Sequence, residues 1–213
     1  MSPKVPEAYL EARRNEIIHA ASKCFAEKGF HYTTMQDIYN ATGLSPGAVY
    51  NYFSNKEDIV IAAIKEFRDW SIAQLTALIS KNPNESFIKI FQFWFSIIKQ
   101  YGTNTTISVQ LDYYSEATRN HNIRNAMLES QDATHAILVD LIQRNQREGV
   151  FNASLDSLSI ARAIVGLIFG IGIHKSLDPD VDLDAYGQVC EAMIKGAFSS
   201  PSGKSRKKKP AAH

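Results

Sequence analysis

The sequence predicts an all-α protein of about nine helices, and three observations lead to this fold class. Apolar residues recur at helical spacing through most of the 213 residues. No stretch alternates apolar and polar residues as a half-buried strand would. Short clusters of Gly, Pro, Asn and Asp separate the periodic segments. A hydrophobic content of 45%, with 10% aromatic residues, is enough to build a sizeable core.

The first three helices have recognisable start and stop signals. Residues 11–28 carry an amphipathic pattern, and Thr33 and Thr34 then offer hydroxyls that can cap the next helix, with Asp37 in its first turn. Thr42 and Gly43 end that helix, since glycine adopts the left-handed backbone conformation that closes one. Ser45 followed by Pro46 predicts a very short third helix over residues 47–53.

Two short helices joined by a tight glycine turn predict a helix-turn-helix unit over residues 33–56, whose second helix can enter a DNA major groove. The runs TTMQDI at 33–38, GLSPGAVYNYF at 43–53 and NKEDI at 55–59 resemble the DNA-binding segment of the tetracycline-repressor (TetR) family. Ala20, Phe25, Gly29 and Phe30 fit the family's first helix and its exit. The resemblance covers residues 10–60, and it implies that a larger helical regulatory domain follows.

Six further helices are predicted downstream, in segments separated by polar or glycine-containing breaks. These segments are residues 55–81, 86–101, 105–119, 123–148, 154–174 and 186–198. We therefore expect three regions: a helix-turn-helix DNA-binding domain at 1–58, a helical effector-binding and dimerisation domain at 59–198, and a disordered basic tail at 199–213.

Charge and motif content narrow the function further. Residues 1–58 hold six Lys or Arg against seven Asp or Glu, so DNA binding there has to depend on where donors are placed and not on bulk charge. We find no nucleophile elbow, phosphate loop or metal-ligand spacing, which predicts a protein that is not an enzyme and needs no cofactor or metal. The N-terminus lacks an apolar signal region, and the most apolar run, 160–173, is shorter than a membrane span. A cytoplasmic protein without membrane contact is expected.

The candidate DNA contacts lie in and around the helix-turn-helix. Gly47 lets the backbone approach base edges, and Pro46 and Tyr50 can contact thymine methyl groups. The resemblance implies that five residues match positions that hold the DNA backbone: Thr34, Ser45, Tyr50, Tyr52 and Lys56. Since no arginine lies in the recognition helix, DNA shape and apolar contact are favoured over an arginine–guanine code. The full set is Thr33, Thr34, Ser45, Pro46, Gly47, Tyr50, Asn51, Tyr52 and Lys56.

Arg13 and Arg14, near the start of the first helix, leave two alternatives open. They can contact DNA phosphates or simply form a solvated surface.

An aromatic-rich region over 86–119 suggests a mostly apolar pocket with a few polar groups, suited to a small-molecule effector. A plain hydrophobic core is the alternative at each position. The candidate ligand-binding residues are Phe91, Trp94, Phe95, Tyr101, Gln110, Asp112, Tyr113, Tyr114 and His135.

Small residues on the last two helices permit close approach of a second chain, and the expected result is a four-helix dimer interface, as the resemblance also implies. Packing inside the chain is the alternative. The candidate interface residues are Ala163, Gly166, Gly170, Ala192 and Gly196.

Taken together, these features predict a dimeric TetR-type transcriptional regulator, most simply a repressor, that binds a palindromic double-stranded DNA operator and is released by a small, largely apolar or aromatic ligand. The competing hypothesis is a helical adaptor whose helix-turn-helix serves protein contacts.

Overall fold

A computed structural model describes residues 6–81, 87–101, 104–149 and 151–197. Within these ranges the chain forms nine α-helices and no β-strand, which confirms the predicted fold class. The helices are α1 Glu7–Lys28, α2 Met35–Thr42, α3 Pro46–Tyr50, α4 Lys56–Lys81, α5 Phe87–Tyr101, α6 Asn104–Ala117, α7 His121–Arg147, α8 Ser157–Leu177 and α9 Leu183–Ala197.

The helix-turn-helix unit consists of α2 and α3, and the predicted capping residues begin both helices. Thr34 and Asp37 make a reciprocal capping box at the start of α2, and Gly43 closes that helix with φ 67°. The Ser45 hydroxyl accepts the Ala48 N–H at 3.3 Å and begins α3. The recognition helix ends at Tyr50 and not at residue 53, because the chain turns at residues 51 and 52.

At the start of α4 the cap is Asn55 and not the preceding Ser54. Asn55 Oδ1 accepts the Asp58 N–H at 2.9 Å, while Asp58 Oδ2 accepts the Ser54 N–H at 3.0 Å. An asparagine placed three residues before the aspartate can satisfy the first free N–H groups of the helix. The Ser54 side chain is therefore not needed as the cap.

Two hydrophobic clusters form the core, and α4 contributes to both. The first gathers α1, α2, α3 and the start of α4, and it also includes Tyr113 from α6 and Ile123 from α7. The second contains Leu75 from α4 together with residues of α5, α7, α8 and α9. The predicted division at residue 58 falls within continuous α4 and remains a prediction. The predicted tail, 199–213, lies outside the described residues.

Helix α8 leaves much of its apolar surface uncovered. Its inner side, with Ile160, Ile164 and Ile171, belongs to the second cluster. Helix α8 has 21 residues and is therefore longer than the apolar run of 160–173. By length and composition alone it could cross a membrane, and only 28% of its apolar 18-residue window is buried within the chain. On the neighbouring α9, Val189 and Met193 are 60% and 52% exposed. We call Ala163, Gly166, Gly170, Val189, Ala192, Met193 and Gly196 the outer face of α8 and α9.

Candidate functional site

The recognition helix α3 has a small exposed surface on one side and is anchored to the core on the other. Val49 is fully buried in the first cluster and anchors the helix from inside. Pro46, Gly47 and Asn51 are exposed, and the Tyr50 side chain is 52% exposed. The helix contains no cationic side chain. Base contact through α3 would therefore use backbone, tyrosine and asparagine groups.

Tyr39 of α2 supports the exposed Tyr50. The two rings pack edge to face with centroids 5.7 Å apart. Tyr39 is only 6% exposed, and burial raises the pKa of its phenol to about 12. Because the Tyr39 ring is held in the core, its edge-to-face contact restricts the positions that the half-exposed Tyr50 ring can adopt.

The two threonines at the α1–α2 turn have different surroundings. Thr33 is buried, and its hydroxyl donates to the carbonyl oxygens of Cys24 and Gly29 at 3.1 and 2.9 Å. Its side chain therefore holds the turn from inside and offers no surface donor. Thr34 is exposed at the tip of α2, where its backbone N–H donates to Asp37 Oδ2 at 2.8 Å.

The carboxylate of Asp37 is already fully engaged. It accepts from Lys28 Nζ at 2.5 Å and from the Thr34 backbone and hydroxyl. The hydrogen bond from Lys28, followed by those from Thr34, holds the pKa of Asp37 well below its usual range. Its negative charge is therefore compensated, and it places little electrostatic penalty on an approaching phosphate.

Lys56 turns back into the protein. Its Nζ donates to the Phe30 carbonyl oxygen at 2.7 Å and lies 4.5 Å from the centre of the Phe30 ring. Burial lowers the pKa of this ammonium group. An ammonium carries three N–H donors, so one is used internally and the others remain for a phosphate. Tyr52 is half-buried and packs against the first cluster.

Comparison with protein families gives two matches that together span most of the chain. Residues 17–63, which include the helix-turn-helix, match the model of bacterial regulatory proteins of the tetR family. Residues 96–199 match the model described as BetI-type transcriptional repressor, C-terminal. The chain belongs to the TetR family. It is a DNA-binding transcriptional regulator, as the helix-turn-helix predicted.

Comparisons with individual proteins agree with the assignment to the TetR family. The chain is 26% identical over 208 residues to the HTH-type transcriptional repressor KstR2 of Mycolicibacterium smegmatis, covering 95% of this chain and 98% of the relative. Among solved structures, Salmonella enterica GusR has a TM-score of 0.73 at 22% identity, covering 91% and 98% of the two chains. A transcriptional regulator from Saccharomonospora viridis, solved in complex with choline, has a TM-score of 0.72 at 21% identity, covering 90% and 100%. At 22% and 21% identity, these two comparisons show that the solved structures and this TetR-family chain have the same fold.

One peptide unit connects the helix-turn-helix of this TetR-family protein to its C-terminal part. Asp112 of α6 accepts the Phe30 N–H at 2.8 Å, while Lys56 donates to the Phe30 carbonyl oxygen at 2.7 Å. Next to them, Glu116 pairs with His31 Nε2 at 2.9 Å. We call Phe30, His31, Lys56, Asp112 and Glu116 the Phe30 junction. Asp112 thus faces the α1–α2 turn and not an effector pocket.

Sequence reasoning missed Phe30, His31 and Glu116 as members of a functional contact. The available signal was the spacing of Asp112 and Glu116, one turn apart on α6, so that both carboxylates project from the same side of the helix. The partners of these carboxylates lie much earlier in the chain; Phe30, for example, precedes Asp112 by 82 residues. Sequence spacing alone could not have identified those partners.

The remaining ligand-binding candidates do not form one site. Phe91 is buried in the second cluster, with Trp94 and Phe95 packed against that cluster, whereas Tyr113 lies in the first cluster against Phe25. Tyr114 is 39% exposed and packs against Phe169 in a tilted arrangement, with ring centroids 5.0 Å apart. Gln110 is half-buried on α6, and the side chain of Tyr101 lies outside the described part of the structure.

His135 has an environment that suits a ligand contact. It is 7% exposed within α7, and its Nδ1 has no hydrogen-bond partner among the described residues. Ser71 of α4 is likewise buried, and its hydroxyl is unpartnered within the same described ranges. Buried polar atoms without partners carry a desolvation cost that a bound polar group would relieve.

An open cleft of about 370 Å³ lies between α4 and α7. Its lining includes the apolar Ile79 and Ile137 and the charged Asp140 and Arg144. None of the predicted ligand-binding residues with a described side chain lines it. The cleft and the buried His135 are therefore separate features of the same helix pair.

The predicted interface residues all lie on the outer face of α8 and α9, where the chain itself provides little cover. Ala163, Gly166, Ala192 and Gly196 are exposed. A Cβ atom added at Gly166, Gly170 or Gly196 would meet nothing within 4 Å in this chain. Gly172 differs, because a Cβ there would lie 2.7 Å from Ile107 Cδ1, so it serves the internal contact between α8 and α6.

Replacing Asp112 tests the Phe30 junction. Asp112→Ala removes the acceptor of the Phe30 amide, and a hydrogen bond to a charged group contributes about 1.5–3 kcal/mol. We expect the Phe30 amide to exchange with solvent roughly tenfold faster or more, measured by NMR hydrogen exchange. Ser115→Ala, an exposed change on the same helix, should leave that amide unaffected. Equal exchange rates in Asp112→Ala and wild type would contradict the junction.

The buried imidazole predicts a pH dependence of stability. Burial, followed by the nearby positive charge of Arg162, lowers the pKa of His135 in the folded state. The unfolded chain then binds more protons as pH falls below about 6.5, so stability decreases in that range. His135→Gln should flatten the decline in the free energy of unfolding between pH 7 and pH 5.5, measured by urea denaturation. Parallel profiles for the two proteins would refute this assignment.

Proposed function

We propose that this TetR-family protein is a cytoplasmic, homodimeric transcriptional repressor. It binds a palindromic double-stranded DNA operator through α3 and is released when a small, largely apolar or aromatic ligand binds the C-terminal domain. The observation that carries the proposal is the Phe30 junction, because it ties the position of the helix-turn-helix directly to α6. A ligand that displaces α6 then alters DNA affinity.

The support for operator binding lies in the exposed surface of α3. Tyr50 is oriented by Tyr39, and Asn51 follows it at the end of the helix. Tyrosine and proline can contact thymine methyl groups, and asparagine can hydrogen-bond adenine. The absence of a cationic side chain from α3 favours recognition through these contacts and through DNA shape.

The support for a dimer lies in the outer face of α8 and α9. A five-residue recognition helix contacts few base pairs, so useful selectivity requires two copies on two half-sites. Val189 and Met193 are large, apolar and more than half exposed, and the glycines beside them leave room for a close helix approach. A self-complementary face of this kind suits a twofold interface.

The support for an effector lies around α7. Ser71 of α4 and His135 of α7 each bury a polar atom that has no hydrogen-bond partner among the described residues. A regulator of the same fold has been solved in complex with choline. For this chain the aromatic content of α5 and α6 favours an apolar or aromatic ligand carrying one or two polar groups.

Selection of bound sequences from a random duplex pool tests the function directly. The expected result is an enriched inverted repeat, confirmed by footprinting, whose binding is weakened by a compound found in a ligand screen on that duplex. A pool without enrichment at moderate salt would reject operator binding and favour the adaptor hypothesis, in which the helix-turn-helix contacts protein. Enrichment of a single, unrepeated half-site would reject the palindrome.

Tyr50 is expected to contribute to operator recognition more than to general DNA affinity. Tyr50→Ala should weaken binding to the selected operator by roughly tenfold to a hundredfold, about 1–3 kcal/mol, because contact with base edges is lost. Tyr50→Phe should retain most of the apolar contribution. Fluorescence anisotropy at fixed salt gives the affinities, and a scrambled duplex is the control. A similar loss on both duplexes would argue against a role in specificity.

The dimer is tested by placing charge on the outer face of α8 and α9. Val189→Glu and Met193→Glu should each shift the protein toward monomer, because burying an unpaired carboxylate in an interface is costly. Sedimentation equilibrium measures the change. Leu10→Glu, at an apolar residue of α1 that is 43% exposed, is the matched control and should leave association unchanged. Dimers of normal stability in both α9 variants would exclude this face.

A further inference from the structure

The adjacent arginines of α1 have different environments. Arg13 donates from Nε to the Tyr9 hydroxyl at 3.2 Å, lies over the Tyr9 ring and pairs with Glu16 at 2.5 Å. Arg14 forms no ion pair with any carboxylate that the structure describes, and its guanidinium carbon lies 5.1 Å from the centre of the Phe53 ring. One arginine is therefore neutralised within its own helix, and the other keeps its charge available.

Phe53 fixes where the charge of Arg14 lies. Its backbone N–H donates to the Val49 carbonyl oxygen at 3.1 Å, which forms one more helical turn just past the end of α3. Its ring is 3% exposed within the first cluster. Stacking on that ring holds one side of the Arg14 guanidinium, while the side chain as a whole remains exposed. Its N–H groups are thus presented beside the turn that follows the recognition helix.

The surroundings of α3 lack other readily available positive charge. Within the described residues, the recognition helix has no cationic side chain, Lys28 is paired with Asp37, and Lys56 has one of its three N–H donors engaged by the Phe30 carbonyl oxygen. When α3 lies in a major groove about 12 Å wide, the backbone that borders the groove passes beside the ends of the helix. A guanidinium in that position can bind a phosphate in a bidentate manner.

We propose that Arg14 binds a DNA backbone phosphate beside the C-terminal end of the recognition helix, with Phe53 as the platform that orients it. This assignment rests on the proposed operator binding through α3. It identifies a contact on the scaffold helix α1, outside the helix-turn-helix itself. Arg14 fixes the register of α3 on the duplex and adds affinity without reading sequence.

The test compares Arg14→Met, Arg14→Lys and Arg13→Ala in the full chain. Methionine retains an unbranched apolar side chain to cover Phe53 and removes the charge, and circular dichroism with thermal melting verifies folding. Affinity is measured from 50 to 200 mM salt on the selected operator and on a random-sequence duplex. Each phosphate contact contributes about 0.9 to the slope of log affinity against log salt.

For Arg14→Met we expect a slope shallower by about 0.9 for each DNA-bound chain, with similar losses on both duplexes. Arg14→Lys should keep most of the slope, and Arg13→Ala should keep all of it. A wild-type slope in Arg14→Met, or an equal loss in Arg13→Ala, would overturn the assignment. Failure of the wild-type protein to bind any duplex would instead reject the proposed function.

A double-mutant cycle separates direct contact from an indirect effect on folding. Neutral methylphosphonates are introduced one at a time along the operator backbone flanking the half-site. At the contacted phosphate, the substitution should weaken the wild-type protein but cause little further loss in Arg14→Met. Additive losses at every position would show that Arg14 acts through the protein fold and would contradict a phosphate contact.

Discussion

The Phe30 peptide is the constraint on which the arrangement of this molecule depends. Its N–H is held by Asp112 of α6 and its carbonyl oxygen by Lys56 at the start of α4. The same turn is closed from inside by Thr33, whose hydroxyl bonds to Gly29 and Cys24. Because the turn sets the direction of α2, and α2 supports α3 through the Tyr39–Tyr50 contact, the orientation of the recognition surface is linked to α6.

This arrangement suggests a route by which ligand binding in the C-terminal part can affect DNA binding. Tyr113, next to Asp112 on α6, packs against Phe25 in the first cluster. One face of α6 therefore belongs to the core of the helix-turn-helix region, and α6 also packs against α7 and α8. A shift of α6 relative to α7 would strain the Phe30–Asp112 hydrogen bond, the His31–Glu116 pair and the Tyr113–Phe25 contact together. Coupling of a few kcal/mol between two sites requires no more than such a set of contacts.

Features that depend on neighbouring residues in the sequence were predicted well, whereas features that depend on tertiary packing were not. The Thr34–Asp37 capping box, the Gly43 turn and the Ser45 cap were all predictable, since each involves residues three or fewer positions apart. The sequence did not predict which of the ligand-binding candidates lie near one another. Tyr113 and Phe91 were grouped by aromatic content, but they lie in different clusters. Aromatic residues at helical spacing fit a core and a pocket equally well, so composition could not separate the two.

The sequence by itself determined the helices, their caps and the family to which the DNA-binding segment belongs, because these depend on periodicity and on neighbours along the chain. Only the tertiary structure decided which charged groups are available. Asp112 accepts from a backbone amide 82 residues away and Lys56 donates one N–H to a carbonyl 26 residues away, whereas Arg14 lies over the Phe53 ring and keeps its charge available. The availability of a charge depends on what packs around it, and that is fixed when the helices assemble.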